Sequence, residues 1–543
     1  MNGAQAVAAA LKAEDVSSIA AFPHNQIIDA AAEIGIRPII ARTERVAANI
    51  ADGCSRMSDG RSIGVCAVQY GPGIENVFGA VAQAYADSSP ILVVTGGYDS
   101  HEAGVVPNFE AAASYRAVTK WVASVNHVER IPQIMAHAFA KLRSGKGGPV
   151  VIEVPDDLMA AELPADAPGY VKPALSGPSA AGDMGAILSA LLASRSPLIV
   201  AGQGVLYGRA CEELKAFAEL LELPVMTTLA GKSAFPESHE LSLGTGGASR
   251  SPMVDRWLAE SDFVLGIGTS FTRSDYTTPV PLGKTVAQIT NEPADIARSF
   301  PISLGVVADA RAALTALIAE AGRNTGKASP WSGVGRRIAA AREEFLRAWR
   351  PRLACDDAPI SPYRVISDLM HTVDRARTMV THDSGNPRDQ MVPFYEALVP
   401  RGYLGWGKST QLGTGLGLAM GCKLARPDWL AVNVMGDAAF GMVGMDFETA
   451  VRCDLPILTV VLNNGLMGGY EEHLPIATKR YRAHHLSGDY AAVARALGGH
   501  AETVTKAGDV GPALERAIAK VENGQAALVE VQTREEPVFA PAG

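Results

Sequence analysis

Short apolar runs alternate with longer amphipathic segments along most of the chain. In the first third of the sequence the runs occupy residues 18–22, 37–41, 63–68, 90–95 and 149–154. Each run has the length of a buried strand, and the segments between them have the length and periodicity of helices. This alternation is typical of a parallel sheet with helices on both faces.

The same alternation returns twice further along the chain. Apolar runs lie at residues 196–202, 224–228, 262–268 and 285–290, and again at 378–382, 429–435, 457–462 and 526–531. We therefore predict an α/β protein with three doubly wound parallel-sheet domains, at residues 1–165, 180–325 and 355–535. A segment rich in proline, alanine and glycine at 164–178 is predicted to be a linker, and the charged segment 326–355 a helical connector.

Composition and charge narrow the classes of function. Of the 543 residues, 48% are apolar and 19% are charged, and the net charge of −9 gives no electrostatic reason to expect a nucleic acid partner. No apolar run is long enough to cross a membrane, and the first residues lack the basic region of a signal peptide. The six cysteines show neither metal-like nor C-x-x-C spacing. We expect a cytoplasmic protein that binds neither membrane nor nucleic acid.

The stretch from Met435 to Tyr470 holds the most informative polar residues. An apolar run ends at Gly436 and Asp437, a helical segment follows, and a second apolar run ends at Asn463 and Asn464. The carboxyl ends of parallel strands meet at one edge of a sheet, so Asp437 and Asn464 are expected to face one point. Carboxylate and amide oxygens are ligands that Mg²⁺ prefers. The alternative interpretation is a βαβ unit with ordinary turn residues.

This stretch resembles the diphosphate-binding motif of thiamine diphosphate enzymes. That motif has Gly-Asp-Gly, an intervening helix and strand, and a closing Asn-Asn, and here the third position is alanine instead of glycine. The resemblance implies that thiamine diphosphate binds through Mg²⁺, with three protein ligands: the side chains of Asp437 and Asn464 and the backbone carbonyl of Leu466. It also implies diphosphate contacts from residues of the two turns, namely Gly436, Ala438, Ala439 and Met467.

Glu44 directly follows the second apolar run and precedes a helical segment. On physical grounds alone it could be a helix N-terminal glutamate that interacts favourably with the helix dipole. Residues 42–53 are similar to the family segment that carries the catalytic glutamate. The resemblance implies that Glu44 hydrogen-bonds the pyrimidine ring and drives the tautomer that activates the cofactor.

Other cofactor contacts follow from the same resemblance. The glycine loop after the third apolar run and two later turns match family segments that touch the cofactor, and the residues are Gly71, Pro72, Gly73, Asn76, Gly385, Asn386, Gln411 and Leu412. Leu412 aligns with the bulky residue that wedges between the two rings of the cofactor. Without the resemblance, Leu412 reads as an ordinary core leucine and the glycine loop as a tight turn.

Four further residues are candidates for substrate chemistry. His24 and Tyr70 each lie where an apolar run ends, and Glu471 and His473 follow the Asn-Asn turn. His24, Glu471 and His473 have plain alternatives, because a lone histidine is more often structural and helix charges are often solvated. Relatives of the acetolactate synthase type carry an active-site glutamine for which this chain offers only Asn108.

The middle third resembles the central domain of the same enzymes. That domain holds FAD in some relatives and ADP or nothing in others, so a bound FAD is possible for this chain. Residues 196–204 run from an apolar stretch into Gly-x-Gly, which alone is a weak signal for a nucleotide. Arg273 aligns with a residue near the flavin of relatives.

The resemblance implies an enzyme dependent on thiamine diphosphate and magnesium that makes or breaks a C–C bond beside a carbonyl of a small-molecule substrate. The first hypothesis is an acetolactate synthase-like carboligase or decarboxylase acting on a 2-oxo acid. The alternative is a C–C hydrolase or lyase acting on a diketone or a 2-hydroxyacyl compound. A third hypothesis is a non-catalytic nucleotide-binding relative. Because the two halves of the site come from different chains in relatives, a homodimer or homotetramer is expected.

Overall fold

The computed structural model describes residues 1–175, 182–324 and 331–540, which form three six-stranded sheets flanked by helices. Adjacent strands pair in parallel within all three sheets. The predicted α/β class with three parallel sheets is therefore confirmed. The predicted linker and connector each lie partly outside the described residues, at 176–178 and 326–330.

The first sheet has the strand order β2-β1-β3-β4-β6-β5. Its strands are β1 (Ser18–Ala21), β2 (Arg37–Ile40), β3 (Gly64–Val68), β4 (Ile91–Gly97), β5 (Trp121–Ser124) and β6 (Val150–Pro155). Its helices are α1 (Gly3–Ala13), α2 (Ile27–Glu33), α3 (Glu44–Met57), α4 (Pro72–Ala86), α5 (Ala111–Ser114), α6 (Ile131–Arg143) and α7 (Asp156–Ala160).

The central sheet has the order β12-β11-β10-β7-β8-β9, which is the strand order of a dinucleotide-binding doubly wound fold. Its strands are β7 (Pro197–Ala201), β8 (Val225–Thr227), β9 (Ser242–Thr245), β10 (Phe263–Ile267), β11 (Thr285–Thr290) and β12 (Leu304–Val307). The helices of this part are α8 (Met184–Leu192), α9 (Gln203–Tyr207), α10 (Cys211–Leu221), α11 (Pro252–Glu260), α12 (Ala310–Asn324) and the connecting α13 (Val334–Leu353).

The third sheet has the order β14-β13-β15-β16-β18-β17, which repeats the connectivity of the first sheet. Its strands are β13 (Thr378–His382), β14 (Tyr403–Leu404), β15 (Leu430–Gly436), β16 (Leu458–Asn463), β17 (His500–Val504) and β18 (Ala527–Gln532). Its helices are α14 (Pro362–Thr372), α15 (Asn386–Met391), α16 (Thr414–Ala425), α17 (Asp437–Val443), α18 (Phe447–Arg452), α19 (Tyr470–His473), α20 (Pro475–Tyr481), α21 (Tyr490–Ala496) and α22 (Val510–Glu522).

Five strands that the apolar pattern did not predict all lie at sheet edges. They are β5, β9, β12, β14 and β17, and several alternate between covered and exposed positions or are very short. The interior strands are buried on both faces and therefore read as continuous apolar runs. An edge strand has only one neighbouring strand and carries a weaker apolar signal.

Helices α3 and α16 join the first and third sheets by direct backbone contact. A Cβ placed on Gly53 would lie 2.3 Å from the backbone oxygen of Leu418. A Cβ on Gly421 would lie 2.1 Å from the backbone oxygen of Ile50. Only glycine fits at these two positions, and the close approach sets where the first residue of α3, Glu44, lies relative to the third domain.

The remaining general expectations concern thiols and membranes. All six cysteines are free, three of them buried and three half-buried. Within residues 1–175, 182–324 and 331–540, the helices are too short or too polar to span a lipid bilayer.

Replacing Gly53 by alanine is expected to lower the melting temperature. The added methyl group meets the carbonyl of Leu418, and such overpacking costs about 1–3 kcal/mol. The matched control is Gly322→Ala on α12, where an added Cβ has nothing within 4 Å. Differential scanning calorimetry should show a lower Tm for Gly53→Ala and an unchanged or higher Tm for Gly322→Ala. Equal Tm values for the two variants would contradict the proposed backbone contact.

Candidate active site

The turn after β15 and the turn after β16 meet at the carboxyl edge of the third sheet. The parallel register aligns Gly436 with Leu462, so Asp437 and the residues after Asn463 emerge side by side. One carboxylate oxygen of Asp437 accepts a hydrogen bond from the backbone N–H of Gly465 at 2.8 Å. The other accepts from the N–H of Ala438 at 2.9 Å. Burial raises the pKa of Asp437, and these backbone N–H groups oppose that effect.

The two asparagines of the second turn point to different partners. The amide of Asn463 donates to the Glu530 carboxylate at 2.6 Å, which makes Asn463 part of the sheet interior. The side-chain oxygen of Asn464 accepts from the N–H of Leu466 at 2.9 Å. The turn is held from outside by Met467, whose N–H donates to the backbone oxygen of His484 at 2.8 Å.

The oxygen atoms at this turn suit a magnesium ion whose coordination shell also includes phosphate oxygens. Asp437 offers a carboxylate, Asn464 an amide oxygen and Leu466 a backbone carbonyl, all hard oxygen donors. In the described part of the chain, no three His, Cys, Asp or Glu side chains cluster as a metal site. A set with one carboxylate leaves positions for cofactor oxygens.

The start of α15 lies beside the same turn. Gly385 has φ +80°, and a Cβ there would have nothing within 4 Å, so its backbone borders open space. The side-chain nitrogen of Asn386 would lie 2.4 Å from a Cβ on Gly468, which shows how closely α15 approaches the turn. Gly436 also lies nearby, because a Cβ placed on it would be 3.9 Å from the Pro387 ring. Ala439, in contrast, is packed in the core, so only its backbone could face a ligand.

Asp383 organises the segment that carries Gln411 and Leu412, a role that no motif in the sequence predicted. Its buried carboxylate accepts from the N–H groups of Gly413 at 2.8 Å and Gly415 at 2.9 Å. Burial raises its pKa to about 6, and the backbone donors oppose this shift. The available signal was its position directly after the apolar run at 378–382.

Gln411 and Leu412 lie against the first domain. Leu412 packs on the core that the first and third sheets share. The amide nitrogen of Gln411 would lie 2.1 Å from a Cβ on Gly79 of α4. The amide oxygen of Gln411 is buried and has no hydrogen-bond partner. An unsatisfied buried acceptor is costly, so this oxygen fits a donor on a bound cofactor.

Glu44 is the first residue of α3 and is only 6% exposed. Its carboxylate accepts one long hydrogen bond, at 3.4 Å, from the amide of Asn76 on α4. The preceding residue, Thr43, donates to the Asp446 carboxylate at 2.8 Å and thereby ties the start of α3 to the third domain. Glu44 is thus buried with most of its acceptor capacity unused, as a carboxylate that receives a ligand proton requires.

Arg45 lies between Glu44 and the Gln411 segment. Its guanidinium approaches to 3.5 Å of a Cβ placed on Gly413. Two of its nitrogens, Nε and one Nη, are buried without a hydrogen-bond partner. No motif in the sequence predicted a role for this residue.

The glycine loop after β3 has the backbone that glycine permits. Gly71 has φ +59°, and helix α4 begins at Pro72. A Cβ on Gly73 would lie 2.7 Å from the Gln69 side chain, so a larger residue here would require that side chain to move. Helix α4, which follows the loop, carries Asn76, and the amide of Asn76 donates a hydrogen bond to Glu44.

The substrate candidates fall into two groups. The rings of Tyr70 and Tyr98 are tilted by 49° with centroids 4.7 Å apart, and the exposed His24 lies at the same edge of the first sheet. Tyr98 was missed by the sequence analysis, although it follows the apolar run at 90–95. Glu471 and His473 are exposed on the short helix α19 and share no hydrogen bond or ion pair with other predicted site residues that the structure describes.

A cavity of about 310 Å³ lies where all three domains meet. Its lining includes Gly202, Gly204 and Gly268 at the carboxyl edge of the central sheet, at the switch point of that sheet between β7 and β10. The predicted flavin neighbour Arg273 is exposed and does not line it.

Asp87 lies at the wall of this cavity. Its carboxylate accepts from Arg56 of α3 at 3.3 Å and from the N–H groups of Gly407 at 3.2 Å and Lys408 at 3.3 Å. Its backbone oxygen accepts from Gln203 of the central domain at 2.5 Å. One residue therefore contacts all three domains.

Comparison with known proteins agrees with this arrangement. Three family models of thiamine pyrophosphate enzymes match: the N-terminal TPP binding domain at residues 1–123, the central domain at 184–317 and the C-terminal TPP binding domain at 383–531. The order of the three models is the order of the three sheets.

Relatives align over nearly the full chain. The "Probable acetolactate synthase large subunit" of Methanocaldococcus jannaschii is 30% identical over 100% of this chain and 94% of its own length. The sulfoacetaldehyde acetyltransferase of Castellaniella defragrans is 29% identical over 99% and 94%, and the glyoxylate carboligase of Escherichia coli O157:H7 is 29% identical over 89% and 84%. The predicted resemblance is confirmed: the chain belongs to the thiamine pyrophosphate enzymes and is an enzyme that depends on thiamine diphosphate.

Proposed function

We propose that the protein uses thiamine diphosphate and Mg²⁺ to make or break a C–C bond beside a carbonyl, as an acetolactate synthase-like carboligase or decarboxylase acting on a 2-oxo acid. The observation that carries this proposal is the pair of buried carboxylates, Asp437 at the oxygen-rich turn and Glu44 with its unused acceptor capacity. The name of one relative, a glyoxylate carboligase, supports carbon–carbon chemistry.

Each side chain has a part in this proposal. Asp437, Asn464 and the Leu466 carbonyl would hold Mg²⁺, and the backbone around Gly385 and Ala438 would hold the diphosphate. Glu44 would hold a proton at the pyrimidine ring, and Leu412 would keep the two rings of the cofactor bent. Thiamine diphosphate supplies the carbanion and the electron sink that this chemistry needs.

A second candidate function is a C–C hydrolase or lyase acting on a diketone or a 2-hydroxyacyl compound. The observation that favours it is the aromatic and imidazole edge of the first sheet, with His24, Tyr70 and Tyr98. Acetolactate synthase-type relatives would be expected to have a glutamine nearby, and this chain offers only Asn108. A product screen with pyruvate and cyclohexane-1,2-dione separates the two functions.

FAD in the central cavity is part of the proposal. The dinucleotide-type strand order and a cavity of about 310 Å³ at its switch point support a nucleotide ligand. The chemistry proposed above transfers no electrons to a flavin, so FAD would act as a structural ligand. An absorbance spectrum of the purified protein tests for its presence.

Self-association as a homodimer or homotetramer is also proposed. The buried guanidinium of Arg45 has two nitrogens without partners, which suits a residue completed by a ligand or by a second copy of the chain. Sedimentation velocity of the protein with and without cofactor tests this expectation.

Replacing Glu44 by glutamine is expected to lower kcat at least about 100-fold while thiamine diphosphate still binds, because glutamine keeps the shape and loses the proton acceptor. Turnover of a 2-oxo acid and quenching of intrinsic fluorescence by the cofactor measure the two properties. Glu75→Gln, an exposed glutamate on the neighbouring α4, is the matched control and should behave as the native protein. Native-like turnover in Glu44→Gln would remove Glu44 from this role.

Replacing Asp437 by asparagine is expected to weaken Mg²⁺-dependent cofactor binding at least about tenfold, because the site loses its only carboxylate. Titration of chelator-treated protein with Mg²⁺ at fixed thiamine diphosphate measures the change. Asp454→Asn, an exposed aspartate at the other end of the same βαβ unit, is the control. Equal Mg²⁺ requirements in the two variants would contradict the metal site.

A further inference from the structure

The turn directly before Glu44 is held by the third domain. Asp446 is fully buried, and one of its carboxylate oxygens accepts a hydrogen bond from the backbone N–H of Arg42 at 2.7 Å. The other oxygen accepts from the hydroxyl of Thr43 at 2.8 Å. Both donors precede Glu44 along the chain, so one carboxylate holds the backbone and a side chain of the turn that opens α3.

The hydroxyl of Thr43 has two partners. It donates its hydrogen to Asp446, and it accepts from the backbone N–H of Val46 at 3.3 Å, which makes Thr43 the N-cap of α3. A hydroxyl has a single hydrogen, so the acceptor in the third domain sets how the lone pairs of the capping oxygen face the helix. Glu44 is the first residue after this cap, and its position therefore depends on a hydrogen bond between two domains.

Further contacts fix the preceding strand to the same part of the third domain. Arg452 at the end of α18 donates to the backbone oxygen of Ile40 at 2.6 Å. Arg37 at the start of β2 donates to the backbone oxygen of Cys453. The strand β2 therefore lies against α18, and Asp446 holds the end of the same segment, directly before α3.

A continuous helical segment joins Asp446 to the turn proposed to bind Mg²⁺. Helix α17 begins at Asp437, and the 3-10 turn Gly444–Asp446 follows it directly. A Cβ placed on Gly444 would lie 2.5 Å from the ring of Phe440, so this turn packs closely against α17. Asp437 and Asp446 therefore lie at the two ends of one short, rigid segment.

We propose that Asp446 is the positioning residue of Glu44. Acting through Thr43, it holds Glu44 at a fixed place relative to Asp437 of the same chain. The hydrogen bond that Glu44 itself accepts from Asn76 is long, at 3.4 Å, so it restrains the carboxylate weakly. This inference rests on the proposed role of Glu44 at the pyrimidine ring and adds a residue that no motif in the sequence marks.

Replacing the Asp446 carboxylate should loosen the start of α3 without changing the turn proposed to bind Mg²⁺. Asp446→Asn keeps one oxygen acceptor and turns an NH2 group toward the other donor. Either the N–H of Arg42 or the hydroxyl of Thr43 then faces a donor in a buried place, which is costly. The oxygen atoms of the metal turn remain, so the effect on Glu44 is separable from cofactor binding.

Amide hydrogen–deuterium exchange of the full-length, cofactor-free chain tests the contact itself. In Asp446→Asn, the amides of residues 44–50 are expected to exchange at least about tenfold faster than in the native protein, because the first turn of α3 opens more often. The matched control is Glu448→Gln, which removes a carboxylate that pairs with the Arg42 side chain at 3.4 Å, and it should exchange as the native protein does. Native exchange in Asp446→Asn overturns the proposal.

The rate at which deuterium enters the reactive carbon of bound thiamine diphosphate tests the effect on Glu44. Proton NMR of acid-quenched holoenzyme after transfer into D2O measures this rate. We expect Asp446→Asn and Thr43→Val to slow it at least about tenfold with cofactor affinity unchanged, and Thr43→Ser, which keeps the hydroxyl, to retain the native rate. If Asp446→Asn does not fold, the two Thr43 variants give the same test. A native rate in Thr43→Val, or an affinity that falls with the rate, overturns the positioning role.

A double-mutant cycle separates positioning from a general structural effect. If Asp446 acts through Glu44, then Asp446→Asn should slow the deuterium exchange no further in a Glu44→Gln background, whereas independent effects would multiply. Multiplying losses overturn the positioning role. A native exchange rate in Glu44→Gln overturns the proposed role of Glu44 and this inference together. A slow rate in Glu44→Gln beside a native rate in Asp446→Asn overturns this inference alone.

Discussion

The backbone contact between α3 and α16 is the constraint that fixes the first domain against the third within one chain. Gly53 and Gly421 let the two helices approach until each meets a carbonyl of the other. Helix α3 begins at Glu44, and α16 directly follows the segment that carries Leu412. Within one chain, the distance between these two segments is therefore set by packing of rigid helices rather than by flexible loops.

Buried carboxylates complete this framework from the third domain. Asp383 gathers the N–H groups that precede and open α16, and Asp446 fixes the residues just before Glu44. A buried charge is stable only when several donors satisfy it, and here the donors are backbone groups of the segments that must be placed. The energetic requirement of the charge and the geometric requirement of the site are met by the same hydrogen bonds.

The sequence was informative where a residue's role follows from its own segment. Interior strands were visible as apolar runs, and Asp437, Asn464 and Glu44 could be proposed as site residues because each follows a strand in a motif with fixed spacing. Edge strands such as β5 and β17 were not predicted, because each has only one neighbouring strand and a weaker apolar pattern. Asp383 and Tyr98 were not predicted for a different reason: their importance depends on which turns meet across a sheet edge, and no spacing along the chain encodes that meeting.

The position of Asp87 has a consequence for genetics. Its carboxylate holds Arg56 of α3 and the N–H groups of residues 407–408, and its backbone holds Gln203 beside the central cavity. A substitution there would loosen the helix pair, the segment leading to Leu412 and the cavity wall at once. Defects in folding, in cofactor affinity and in the shape of the central cavity, which a screen would score as separate traits, would then trace to a single codon.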